Sequence, residues 1–547
     1  MSSNEKITMR QLQVLIILSA MGTGAIVLPR RAAEFLPVQN GWVIAVGLAL
    51  LAIGIGVLIS VAARAVQTAC VGQGRFLEAA SFLLTRPVAY GVCFALWLKI
   101  VIAAGFELRI FLELSRDVML PNTPLSVVGG VMILACVYAA GKGIETRARV
   151  AEVLFALVSV PVMILFVVAL FDVDFSNVRP LHIGDASAAL RGVLRLGFIF
   201  TGLECLLLVA PFVPRDKNMA RSVASALAFA GLIIVALTTV TIASLGPGAA
   251  TEPWPVVRLM DAISIPGAFI ERQEALMFGF WIITSFALGS AMLYFGGLLI
   301  RDFLPSAHSD RMRKIGVALT AAAVFGTSLL PFSSDEIFRQ MDYMYMTSGI
   351  FFLIVLPVAL IIAAKITELG RHKVLAKMAA FLILAAFAAM FLVGCWDKVE
   401  IEDRAFVVAV GIDARDGEYV VTLSVPIFSD EEENEDAHIK TAQARTVSEA
   451  LQELCEKDER QLFFGQTQMV IFANDLMEDP ELLRGAVDAL NKTLQATQRV
   501  HVLRADSATE VLAKTPPEKI IPYYEDSIMS YYDFEKSVRV VSLPAPI

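Results

Sequence analysis

The chain has 547 residues, 57% of them hydrophobic and only 18% charged, with a mean hydropathy of +0.68. A soluble chain needs about 25% charged residues to cover its surface, so this composition excludes a wholly water-soluble protein. The net charge of −8 excludes nucleic acid as a partner, because no basic face is left over for phosphates.

The apolar residues lie in long uncharged runs up to about residue 394, after which the chain turns ordinary and acidic. This predicts a polytopic membrane domain joined to a soluble one. About 20 apolar residues cross the ~30 Å hydrocarbon layer as a helix. That ruler places ten spans near 10–30, 40–62, 88–112, 124–140, 148–171, 190–212, 222–245, 274–299, 315–331 and 345–364.

Basic residues in alternate loops set the orientation. One set of loops holds 19, among them Lys6, Arg64, Lys142, Arg147, Arg149, Arg313 and Lys377; the other holds about 8, including Arg30 and Arg31. The richer set marks the cytoplasmic side, which places both ends of the ten-helix unit there. The six cysteines show no paired spacing, which excludes a disulfide framework and a cysteine-rich metal site.

Spans one and six carry glycine breaks, at Gly22-Thr23-Gly24 and at Gly197-Phe198-Ile199-Phe200-Thr201-Gly202. Glycines in membrane helices also serve close packing. The positions of these two, however, correspond in a fold of two inverted five-helix repeats. Discontinuous first helices of each repeat expose backbone groups at the midplane, where a small polar ligand can bind. The expected ligand site is therefore Gly22, Thr23 and Gly24 with Gly197, Phe200, Thr201 and Gly202. Lys99, Glu107 and Glu204 are charges inside spans, which are expensive in lipid. They read either as structural ion pairs holding helices together or, for Lys99 and Glu204, as the flanks of a polar cavity.

Beyond Arg371-His372-Lys373 and Lys377 comes an uncharged stretch from Met378 to Val393, short for a span and ending in Leu392-Val393-Gly394-Cys395. A basic flank before a short apolar core is the pattern of a secretory signal, and the ending resembles a bacterial lipobox, in which the cysteine takes a diacylglycerol. From Trp396 onward the chain reads as a soluble α/β domain. Strands are predicted over Ala405–Ile412 and Tyr419–Val425 around an Asp416-Gly417 turn, and over Met469–Ala473 and Val500–Leu503. Asp430–Asp436 reads as a solvated loop. Thr446 with Glu449 forms a capping box opening a helix through Leu454. There is no nucleophile–base set, phosphate loop or metal-ligand spacing, so no catalytic residues, metal or cofactor are assigned and a binding module is expected in place of an enzyme. The divisions expected are 1–366, 367–395 and 396–547.

Ile7-Thr8-Met9-Arg10-Gln11-Leu12, Val27-Leu28-Pro29, the run Ile265-Pro266-Gly267-Ala268-Phe269-Ile270-Glu271-Arg272 and Phe278-Gly279-Phe280-Trp281-Ile282 together resemble the B subunit of bacterial spore germinant receptors. This is the spore germination permease family of the amino acid–polyamine–organocation superfamily, and the likeness covers roughly residues 5–366. Gly394-Cys395-Trp396-Asp397, Glu400-Ile401-Glu402-Asp403 and Val408-Ala409-Val410-Gly411-Ile412-Asp413 resemble the C subunit of the same receptors, a lipoprotein. The two subunits are normally separate chains, and only about 150 residues follow Cys395, which reads as a C subunit cut after its first domain. A true fusion and a join between adjoining genes read identically, with Met378 a candidate independent start.

The resemblance implies nutrient sensing in the inner membrane of the spore: a small germinant, an amino acid, binds between spans one and six and acts with other receptor subunits. A working amino-acid or cation symporter of the same fold, and a passive scaffold for the outer domain, are the alternatives. The even span count places Trp396–Ile547 outside the cytoplasm. Two acyl chains anchor stably where one binds only marginally, so the outer domain is expected to stay on the membrane lipid. Because its apolar core is short, this segment is expected to be cut between Gly394 and Cys395. Immunoblots with a tag at each end should show two fragments in the wild type and one full-length band in Cys395→Ala; a single full-length band in both would refute cutting.

Overall fold

Thr8 and Gln11 start the first helix. The Thr8 hydroxyl accepts the Gln11 amide at 3.2 Å and the Gln11 side chain accepts the Thr8 amide at 3.0 Å, so each satisfies an N–H that a helix leaves free in its first turn. The opening motif of the resemblance is thus a helix cap. A computed structural model describes residues 6–22, 24–69, 75–120, 122–170, 175–178, 186–214, 218–246, 248–262, 273–303, 310–330, 334–368, 404–415, 417–425, 438–457, 461–464, 467–493, 500–514 and 529–530, with residues 173, 332, 378 and 385 besides. The chain divides into two compact units, Met1–Cys395 and Trp396–Ile547.

The first unit is helical. Its elements are α1 (Met9–Ala20), α2 (Gly24–Ala32), α3 (Gly41–Ala69), α4 (Phe76–Leu83), α5 (Arg86–Val118), α6 (Leu125–Gly141), α7 (Ile144–Ala169) and α8 (Ala186–Arg195). They continue as α9 (Leu206–Val209), α10 (Met219–Leu245), α11 (Gly248–Thr251), α12 (Pro255–Ala262), α13 (Gln273–Phe303), α14 (Asp310–Ser328), α15 (Ser334–Met344) and α16 (Leu356–Glu368). Between α15 and α16 the helix runs on in π-helical form, at Tyr345–Gly349 and Phe351–Val355.

Among the described residues, five helical stretches are long and apolar enough to cross a membrane: Val38–Thr68, Arg86–Val118, Met219–Leu245, Phe278–Phe303 and Glu336–Thr367. The number rises to seven if the bent pairs Met9–Ala20 with Gly24–Ala32, and Ala186–Phe200 with Leu203–Phe212, each count as one span. α6, α7 and α14 stand at the other expected positions. α6 has 17 residues, and α14 opens on Asp310, Arg311, Arg313 and Lys314. The exteriors of α6 and α7 are nonetheless apolar: Val131, Leu134 and Tyr138 of the one and Val153, Leu157 and Met163 of the other are exposed. Contiguous apolar exteriors belong in lipid or against a partner, not in water.

The interior of the unit holds charges that the loop count treated as external. Arg31 is buried within α2, its guanidinium 2.5 Å from Glu34 and 2.6 Å from Asp342 of α15. It is an internal ion pair, which removes it as an outer-loop cation. Arg313, also buried, donates to the carbonyls of Ala140 at 3.2 Å and Gly141 at 3.3 Å, so it caps the C-terminal end of α6, where carbonyls lack helical partners.

Among the described residues the second unit has eight strands, six in a main sheet and two in a separate parallel pair. Its strands are β1 (Arg404–Phe406), β2 (Ala409–Arg415), β3 (Glu418–Val425), β4 (His438–Ala444), β5 (Gln461–Phe463), β6 (Met469–Ala473), β7 (His501–Ala505) and β8 (Met529–Ser530), the main sheet running β4-β3-β2-β6-β7-β8. β2, β6 and β7 are parallel; β3 and β4 join antiparallel on one side and β8 on the other. The hairpin Arg415↔Glu418 leaves two residues in its turn, with Gly417 at φ +77°, as a tight hairpin requires. The predicted strand 405–412 is split: Arg404–Phe406 pairs with β5 while Ala409 onward pairs with β3 and β6. Thr446 accepts the Glu449 amide at 3.2 Å and the helix Val447–Lys457 follows. Asp430–Asp436, Thr23 and Cys395 lie outside the described residues.

The motif Val408–Asp413 has a structural task. A methyl at Gly411 would stand 2.9 Å from Leu512 Cδ1 and 3.1 Å from Ala508 Cβ, so the helix Ala508–Lys514 lies directly on the strand. Asp413 then caps that helix, accepting the amides of Ala508 at 2.8 Å and Thr509 at 2.9 Å and the Thr509 hydroxyl at 2.7 Å. Losing such a cap costs ~1–2 kcal/mol. Asp413→Ala should therefore raise hydrogen exchange in Ala508–Lys514 by about tenfold in the full chain, and Asp413→Asn by much less; equal protection in wild type and Asp413→Ala would refute the capping role.

Candidate functional site

The two glycine-marked breaks are real bends. α1 stops at Ala20 and α2 starts at Gly24, with the axes 47° apart; the sixth-span helix bends by 57° between Phe200 and Leu203. Gly202 sits at φ +100°, a conformation that costs any residue with a Cβ ~1–2 kcal/mol. Its amide donates to the Glu204 carboxylate at 3.3 Å, so an N–H freed by the break finds a partner inside the protein, as one removed from water must.

Glu204 in turn holds Lys99. The Lys99 ammonium of α5 donates to Glu204, and both side chains are buried, at 4% and 0% exposure. Of the two readings open from the sequence, the ion pair is the observed arrangement. Glu107 lies further along α5, where it lines a separate cavity. Arg109 near it pairs with Glu113 at 2.7 Å and donates to the carbonyls of Ser328 and Phe332.

The breaks pack on each other. A methyl at Gly24 would stand 2.9 Å from Ile199 Cα, and Gly197 is covered by the Tyr345 ring. Gly22 and Gly202 both face Leu288 of α13; a methyl on either would stand 3.4 and 3.2 Å, respectively, from that side chain. Beside this junction lies a cavity of about 60 Å³, room for about four to six water molecules at ~10–15 Å³ each. Phe200, Thr201 and Gly202 line it, as do Leu203, Cys205, Leu288 and Met292. On the side of the first helix the lining is Leu12, Leu15, Ile16, Ser19 and Ala20. The cavity therefore reaches the last turns of α1 and not the break itself: Gly22, Gly24 and Gly197 serve packing around it.

The residue that the sequence missed here is Arg147. Counted there among loop cations, it lies in the first turn of α7, 4% exposed, and lines the cavity. Its position at a span's end gave no signal, because a burial of this kind is set by α1 and α13 closing over it. A second cavity of about 30 Å³ is lined by Glu107, Cys136 and Ser285, and shares Leu288 and Met292 with the first. These two side chains form the wall between the cavities. Among the described residues no group of three His, Cys, Asp or Glu side chains is placed to hold a metal ion.

A sequence profile of the spore permease family, whose members are described as spore germination proteins, matches residues 6–337. The chain belongs to the spore germination permease family. A second profile, the spore germination protein N-terminal domain, matches residues 397–542. Spore germination protein YndE of Bacillus subtilis (strain 168) is 23% identical over 287 residues, 52% of this chain and 78% of that protein. Spore germination protein KC of the same organism is 28% identical over 153 residues, 25% of this chain and 37% of that protein. The crystal structure of MhsT in complex with L-phenylalanine gives a TM-score of 0.47 at 14% identity, over 70% of this chain and 98% of that one. With its apolar helices, this family places the chain as a multi-pass membrane protein of spore germination.

In this family member the Lys99–Glu204 pair should respond to half-removal more than to full removal. Taking away one partner of a buried pair leaves an uncompensated charge and costs ~3–5 kcal/mol. Lys99→Met is expected to lower the unfolding temperature of the detergent-solubilised protein sharply, and Lys99→Met with Glu204→Gln to restore most of the loss. A double variant no more stable than Lys99→Met would show that the pair is not the tie.

Proposed function

We propose that the membrane unit is the germinant-sensing component of a receptor and that a small germinant, an amino acid, occupies the cavity beside the broken first and sixth spans. The observation that carries this reading is the packing of the two breaks on one another, Gly24 against Ile199, next to a cavity lined by Phe200, Thr201 and Gly202. Irregular backbone at membrane depth is tolerated where it lines a cavity, and paired discontinuous helices are where such folds bind small polar solutes. The germinant acts by favouring one conformation over another, since a ligand shifts an equilibrium only by its difference in affinity for the two states. In this reading the unit has ten spans, built as two inverted five-helix repeats with both ends in the cytoplasm. The segment 367–395 delivers Trp396–Ile547 to the outer face, where Cys395 carries the lipid and the domain meets other receptor subunits.

The test is Gly202→Val. A valine there meets Leu288 at the cavity wall and strains a left-handed residue. Spores carrying it at normal protein abundance should lose their response to amino-acid germinants. An unaltered dose response would refute the site. Accumulation of labelled amino acid in vesicles containing the wild-type protein would instead make it a working transporter.

A further inference from the structure

The charge balance of the cavity is incomplete in a way that names its ligand. The other buried cations described above meet carboxylates: Lys99 meets Glu204, Arg31 meets Glu34 and Asp342, and Arg313 meets Asp310 at 2.6 Å. Arg147 does not. Its Nε donates to Ser290 Oγ at 3.3 Å, and its guanidinium stands 5.6 Å from the centre of the Tyr294 ring. Its Nη1 is buried with no hydrogen-bond partner, and among the described residues no carboxylate pairs with it. A buried guanidinium without a counter-charge is expensive, yet this one lines the cavity already assigned to the germinant.

We infer that Arg147 is the carboxylate-recognising residue of that cavity, and that the ligand is a short aliphatic α-amino acid bound by its carboxylate at the free edge of the Arg147 guanidinium. The inference rests on the reading of the cavity as the germinant site. Three features fit this ligand. Ser290 donates to the Ala287 carbonyl at 3.1 Å and so holds the Nε edge of Arg147 in place, leaving the Nη edge for the ligand. A planar guanidinium suits a carboxylate, which it can grip with two parallel hydrogen bonds. Leu12, Ile16, Leu288 and Phe295 surround a small volume, which takes an aliphatic side chain and excludes a large one. The ligand's ammonium is served by Ser19 and by the C-terminal end of α1, which carries partial negative charge. Among the described residues lining the cavity Arg147 is the single cation, so a phosphate dianion would find no second one there.

The experiment measures thermal unfolding of the full chain in detergent with glycine, L-alanine, L-valine and L-leucine, each beside its carboxamide. At least one acid should raise the unfolding temperature, while its amide, uncharged at the carboxyl position, should not do so at tenfold higher concentration. Arg147→Gln should weaken binding of that acid by ~10- to 100-fold, the range for losing a hydrogen bond to a charged group. Arg147→Lys should fall between, since it keeps the charge and loses the fork. If Arg147→Gln does not accumulate, the acid–amide comparison on the wild type decides alone. Equal stabilisation by acid and amide, or unchanged binding in Arg147→Gln, overturns the role of Arg147 and leaves the cavity as germinant site. No stabilisation by any of these overturns both.

Discussion

An ammonium and a carboxylate removed from water hold this membrane unit in register. Lys99 and Glu204 are almost wholly buried, and either one alone would be an uncompensated charge whose removal from water costs several kcal/mol. The pair ties the middle of α5 to the break in the sixth span. Glu204 does a second thing with its other oxygen, accepting the Gly202 amide. A chain that leaves helical geometry inside a membrane must give its freed N–H groups a partner within the protein. One side chain thus secures the bend and anchors it to a neighbouring helix.

The bend in turn decides where the cavity lies. Gly202 in its left-handed conformation turns the chain so that Phe200 and Thr201 face the last turns of α1, and Leu288 closes the space from α13. Leu288 and Met292 also wall the second cavity, on the side of Glu107. Any movement of α13 therefore changes both spaces together. Close-packed interiors switch between discrete arrangements more readily than they deform, so the two spaces change in steps and not independently.

The family motifs, read for their physics, are mostly about assembly. Thr8 and Gln11 cap a helix; Gly411 lets a helix approach a strand and Asp413 caps that helix. None of these residues touches the cavity. Of the opening motif only Leu12 reaches the cavity lining, and Arg147, which no motif contains, is the buried cation beside it.

Hydropathy and spacing alone determined a great deal: the division into an apolar helical part and an α/β part, the positions of the long helices, the glycine-marked breaks in the first and sixth spans (Gly22–Gly24 and within Gly197–Gly202), the Thr446 cap and the hairpin turn at Gly417. These are local, since each depends on residues within a few positions of one another. Tertiary structure decided the rest. That Lys99 meets Glu204, 105 positions away, and that Arg31 turns inward to Asp342 depends on which helices lie side by side. The strand predicted over 405–412 splits because β5, not its own pattern, claims Arg404–Phe406. β4 went unread because, at the edge of the sheet, it owes its strand character to pairing with β3. Arg147 at the end of a span has the local signature of a loop cation. Only the closure of α1 and α13 over it removes its water, and a sequence records burial of that kind only through contacts it cannot state.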